Sequence, residues 1–368
     1  MDCHRQPRQG NGRGRTGPAN LPRFGGWLNN LTVNNCQFLG QFEKAIELGN
    51  EALRLDPHQT GVHYSLAASY LALNRVDEAK SVLQAGLTQN PDSSAIHSGL
   101  YLLAFVEGDQ AGMQRELKWG DGQHAVDNSP RVFAAVAAQQ GGHRKQAVDA
   151  IEQDVEAIQA DGLKESAAQL LSGEALFEAE IGNHVRAKEI AARSLALSRG
   201  RSNGPTLLIA LSLAGDTSQA QKLLDDLKTR YPEDTLTQSA YIPMAEALIQ
   251  PNSGDSTKSI EILRPTARFE LAPAVSFLPI YVKGLTYLRA HQGREAAAEF
   301  QKILNHRGVW FIATEYALAN VGLARALAAE GDIAGSRHAY QDFFALWKNA
   351  DPDIPILKEA KAEYAKLQ

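Results

Sequence analysis

Small residues recur at a fixed spacing in this chain, and that spacing limits the folds open to it more than any other feature. Ala45, Ala79, Met113 and Ala147 stand 34 residues apart, and Ala187, Ala220, Ser259, Ala296 and Ser336 continue the series at intervals of 33 to 40. A proline follows twelve residues after three of these markers, at Pro57, Pro91 and Pro232. Proline disfavours a helical conformation in the residue before it, so each of these ends a helix. A glycine stands about five residues before most markers, at Gly40, Gly108, Gly142, Gly182, Gly215, Gly254 and Gly331. Glycine at that place serves the left-handed turn between two helices. The small residue then lets the second helix approach the first closely. One hairpin of short helices cannot bury its apolar face alone, so neighbours must stack.

The composition agrees with a helical chain: 44% of the residues are hydrophobic but only 7% are aromatic, and alanine and leucine, both strong helix formers, dominate. The longest apolar runs, such as Thr206–Gly215, are far short of a membrane span. The net charge of −5 divides unevenly. Residues 1–26 carry five arginines against Asp2, about +4, which leaves about −9 for the rest. A mildly acidic body lacks the basic stripe of a nucleic-acid scaffold. Cys3 and Cys36 have no metal-site spacing, so two reduced thiols in a cytoplasmic protein are expected.

The 34-residue period and its residues resemble the tetratricopeptide repeat family. Gly284, Tyr287, Ala296 and Phe300 fit the Gly…Tyr…Ala…aromatic pattern, as do Ala67, Tyr70, Ala79 and Pro91 in the second unit. The third and fourth units are degenerate, and Lys118–Arg131 breaks the rhythm. The resemblance implies an all-α solenoid, a right-handed superhelix of about nine hairpins over residues 27–353, with a capping helix at 354–368. Residues 1–26, rich in Arg, Gly and Pro, are expected to be a disordered leader. The three prolines in Arg264–Tyr281 predict an extended loop. The C-terminal half, through Glu299–Gly308 and Ala339–Gln368, is similar to the repeat-bearing tails of bacterial serine/threonine kinases and related regulators. No Gly-rich loop, HRD, DFG or APE motif accompanies it, so kinase activity does not follow.

No chemical motif stands out. Gly12-x-Gly14-x-x-Gly17 has no strand before it and prolines after it, which removes the phosphate-binding context. The ten histidines form no HExxH or Cys/His set, so no metal or cofactor is expected. No carboxylate has a recognisable acid/base partner, and Asp225 and Asp226, or Glu43 and Glu47, read as solvated helix faces.

What the resemblance implies is a non-enzymatic protein–protein interaction scaffold that holds a partner on the concave face of its inner helices. The matching positions are Tyr64, Leu71, Leu102, Phe105, Val132, Val136, Leu176, Ile209, Tyr241, Met244, Tyr281, Leu285 and Leu288. This set is apolar, with a few tyrosine hydroxyls and almost no charge. The places of a carboxylate clamp hold Asn30, Asn34, Ser65, Ala95 and Gly99, which fits an apolar partner segment better than an acidic C-terminus. Neither nucleic acid nor membrane is expected as a partner. A groove for an apolar segment, a face closed inside the superhelix and self-association all remain open. The alternative function is a detached or divergent sensor tail of a kinase or winged-helix regulator that has lost an upstream effector domain.

Overall fold

A computed structural model describes residues 33–120, 135, 137–250, 256–310 and 313–367. The leader 1–26, most of the irregular stretch after Lys118, Val132, Val136 and the turn residue Gly254 lie outside the described residues. Among the described residues all regular structure is helical, so the chain is an all-α array of helical hairpins. It divides into two units.

Unit 1 contains α1 (Asn34–Phe38), α2 (Phe42–Leu55), α3 (Thr60–Ala72), α4 (Val76–Gln89), α5 (Ser94–Glu107) and α6 (Gln110–Gly120), with two short segments from later in the chain, 271–274 and 306–311. The second helices bury one stripe. On α2 that stripe is Phe42, Ala45, Ile46, Gly49 and Ala52, at helical spacing. The first helices are enclosed nearly all round. From Val62 to Ala72 every residue of α3 is buried except Tyr64. Small residues set the separation between them. A Cβ at Gly49 would lie 2.7 Å from the Leu66 side chain, and one at Gly86 would lie 2.5 Å from Ile96. In α6 the register differs by one from the sequence reading: Gly112 is the buried small residue, packed on Ala104, while Met113 is only half-buried. Cys36 is buried in the core of this unit, and Cys3 lies outside the described residues.

Unit 2 contains α7 (Arg144–Ala160), α8 (Lys164–Glu180), α9 (His184–Leu197), α10 (Gly204–Leu213) and α11 (Thr217–Arg230). A π-helical turn, Thr237–Tyr241, then leads into α12 (Ile242–Ile249). After these come α13 (Ser256–Ile262), α14 (Leu278–Arg289), α15 (Gly293–Asn305), α16 (Thr314–Ala329), α17 (Ile333–Leu346) and α18 (Pro355–Ala365). Phe300 on α15 is fully buried between two glycines, Gly284 on α14 and Gly322 on α16. Ser336 opens α17 and donates to the Ala324 carbonyl of α16 at 2.7 Å, a contact only close backbones permit.

Two sequence expectations change here. Residues 264–281 are not an extended loop. Arg264–Phe269 and Pro273–Val275 form 3₁₀ turns, and Pro279 lies in the first turn of α14, where its missing N–H costs nothing. The C-terminal helix does bury Ile356, Leu357 and Ala360, but it does more than cap the last hairpin.

The segment before α18 folds back onto the first helices of unit 2. Trp347 Nε1 donates to the Gln140 carbonyl at 2.7 Å, and the Asp351 amide donates to the Gly142 carbonyl at 2.9 Å. The Asp351 carboxylate accepts from the Lys145 amide at 2.8 Å, placing a negative charge at the start of α7. The Ile356 amide donates to the Ile181 carbonyl at 3.1 Å. Gly142 has φ +73°, and a Cβ there would lie 2.6 Å from Ala350 and 2.9 Å from the Trp347 ring. The helices of unit 2 therefore close on themselves, with residues 347–356 as the strap. α8 also packs against α16.

Candidate functional site

The expected contact positions that fall among the described residues lie on α3, α5, α8, α10, α12 with the turn before it, and α14. In unit 1, Tyr64 on α3 and Phe105 on α5 are half-buried, while Leu71 and Leu102 are buried at 1% exposure. Burial raises the pKa of the Tyr64 hydroxyl. The Phe105 ring is covered in part by Arg307, whose guanidinium stands 5.1 Å from the ring centroid and donates to the Phe105 carbonyl at 3.3 Å. The helix C-terminus favours that positive charge. Gly308 lies against the Leu71 carbonyl so closely that no side chain would fit there. Ser65, at a clamp position, donates to the Gly61 carbonyl of its own helix.

In unit 2, Tyr241, Leu176, Leu285 and Leu288 are half-buried, whereas Ile209, Met244 and Tyr281 are buried. Glu174, Glu178 and Glu180 on α8 and Glu315 on α16 are all buried. Glu178 is paired: Arg144 Nε reaches it at 2.8 Å and Asn183 donates to it at 2.8 Å. The others are not paired in that way. Neither oxygen of Glu174 has a hydrogen bond among the described residues, nor does Oε1 of Glu180 or of Glu315.

Unpartnered carboxyls in a low-dielectric interior resist ionisation. Burial, then the charge of Glu152, pushes Glu174 up to about 7. Burial, then the Glu315 charge, raises Glu180 well above the ordinary range, and burial also raises Glu315. Tyr281 feels both acids, and burial raises its pKa first of all. Tyr241 is pushed up to about 12 by burial. Around Tyr281, burial therefore biases Glu180 and Glu315 toward their neutral forms. On the outer side of α8, Glu152 binds Arg193 at 2.6 and 2.8 Å and Arg186 at 3.3 Å, an ion-pair lattice that joins α7 to α9.

Sequence reasoning missed these acids because it sought only acid/base partners and solvated faces among the carboxylates. A usable signal was present: Glu174, Glu178 and Glu180 interrupt the apolar run that encloses α8. Among the described residues no group of three His, Cys, Asp or Glu is placed to hold a metal ion. No described helix is long and apolar enough to cross a membrane.

Residues 39–101 match the tetratricopeptide repeat family, which takes in the hairpins from α2 to α5. Among solved structures the chain is similar to yeast Tom70, at 12% identity and a TM-score of 0.32, over 94% of this chain and 95% of that one. It is also similar to the TPR domain of P58(IPK), at 13% identity and a TM-score of 0.26, over 92% and 97%. The Cut9–Hcn1 hetero-tetramer of the APC/C gives 11% identity and a TM-score of 0.32, over 92% and 84%. Likeness this remote does not extend to partners. No curated protein matches the sequence.

Proposed function

We propose that the protein is a non-enzymatic interaction scaffold that holds an apolar segment of a partner protein on the first-helix face of its hairpins. The observation that carries this reading is the pair Tyr64 and Phe105. Each is a half-buried aromatic residue among mostly buried neighbours, and the two stand on successive first helices of the array. Aromatic side chains give large contact area at low entropic cost, which is why they anchor interfaces. In unit 2 the corresponding contact positions are Tyr241, Leu285 and Leu288, above Met244 and Tyr281.

Pull-down with the wild type and with the Tyr64→Ala, Phe105→Ala double variant tests the reading. Loss of two aromatic anchors is expected to weaken a bound partner by about 2–4 kcal/mol, roughly 30-fold or more. The variant should retain its helical circular dichroism. Unchanged recovery from a folded double variant would refute the assignment of this face.

A further inference from the structure

Both ring nitrogens of His97 face oxygen atoms. Nδ1 lies 2.6 Å from Glu116 Oε2 on α6, and Nε2 lies 2.7 Å from the Pro91 carbonyl in the turn between α4 and α5. A carbonyl oxygen only accepts, so Nε2 must carry a proton, and an ionised carboxylate also only accepts, so the Nδ1 contact needs a second one. A neutral imidazole has one N–H. The pair therefore holds one proton more than neutral imidazole beside a carboxylate. Arg115 Nε lies 3.3 Å from the other Glu116 oxygen and keeps the negative charge there, which places the extra proton on the ring. The ring stacks on Trp119, with centroids 3.7 Å apart and planes at 13°, an arrangement that favours a cation over the indole face.

The surroundings of the ring are consistent with a charge. Asp92 adds a second negative group from the turn. The seam that α5 makes with α3 and α4 is formed by Leu83, Gly86 and His63 against Ile96 and Gly99. Burial opposes the charge, but the Glu116 bond, the Pro91 carbonyl and the charges of Glu116 and Asp92 outweigh it, and the His97 pKa is raised.

We propose that His97 is a proton-operated clamp, in which the imidazolium ties α6 and Trp119 to α5 and to the turn before it, and loss of the proton releases α6. Release follows from geometry. A neutral ring has one N–H for two acceptors, so either Glu116 Oε2 at 2.6 Å or the Pro91 carbonyl at 2.7 Å then faces a lone pair, and the tie between α6 and the turn before α5 is broken. Because the folded value is raised, the clamp is fully engaged below the ordinary histidine value of about 6.5 and is lost as pH rises through the folded value.

The test is a ring-nitrogen NMR titration of the full chain, with hydrogen exchange of residues 110–120 followed over the same pH range. His97→Gln assigns the resonance, and Glu116→Gln is the second variant. Expected are two protonated ring nitrogens at pH 6.5, a titration above the ordinary value and α6 exchange that accelerates, beyond its intrinsic pH dependence, in step with that titration. In Glu116→Gln the His97 titration should move down, and α6 should open at lower pH. A single-N–H tautomer at pH 6.5 in the wild type would overturn the proposal, as would α6 protection indifferent to the titration. Should His97→Gln fail to fold, the wild-type and Glu116→Gln titrations still decide the matter.

Discussion

Trp347→Ala is expected to lower the unfolding free energy of unit 2 by about 3–5 kcal/mol, the range for removing a buried large aromatic side chain. Trp347 is 2% exposed, packs on Phe343 with ring centroids 4.8 Å apart and gives its Nε1–H to Gln140. Alanine would leave a cavity between the strap and Gly142 and would strand the Gln140 carbonyl, a further penalty if that atom stays buried. Urea unfolding followed by circular dichroism measures the loss. The decisive comparison is Leu346→Ala, one residue earlier and 42% exposed, which should change stability by less than about 0.5 kcal/mol. Equal effects of the two substitutions would mean that the strap does not close unit 2.

Raising pH from the ordinary carboxylate value to about 7 is expected to destabilise unit 2, with Glu174 as the clearest contributor. Its folded pKa is raised to about 7, so between the unfolded value and 7 the native state binds a proton that the unfolded state has released. Stability therefore falls as pH rises across that window, with the low-pH side favoured. At about 1.4 kcal/mol per pKa unit, the loss from Glu174 approaches about 3 kcal/mol by pH 8. Glu180 and Glu315 shift in the same direction and add to the slope. Glu174→Gln mimics the protonated acid and should be more stable than wild type at pH 8 but little different at pH 5. Chemical denaturation of both proteins at the two pH values measures this difference. If wild type and variant show the same pH slope, Glu174 ionises without cost and is not buried as described.

The fold was legible in the sequence wherever one residue type has one structural use. The glycines before the markers predict left-handed turns, and Gly40, Gly108, Gly142, Gly182, Gly215 and Gly331 all have positive φ. Asn74 and His291 take the same conformation in two hairpins without glycine, and a search for glycine cannot see them. The marker at Met113 failed by one position because the small residue there is its neighbour, Gly112. Prolines misled at 264–281, since proline is compatible with 3₁₀ turns and helix starts as well as with extended chain. Closure of unit 2 was not legible at all. Trp347 and Gln140 are 207 residues apart, and no local pattern encodes that pairing. The candidate face was legible as positions but not as exposure. Periodicity placed Tyr64 and Leu71 on one first helix, but only packing distinguishes the half-buried tyrosine from the buried leucine.

Site-specific photocrosslinking tests the central claim most directly. A photoreactive phenylalanine analogue replaces Tyr64 or Leu288 on first helices, or Leu55 or Val185 on second helices, where both native side chains are exposed. A partner protein should be captured from position 64 or 288 and not from 55 or 185. Capture from 55 or 185 alone would place binding on the outer helices and contradict the account.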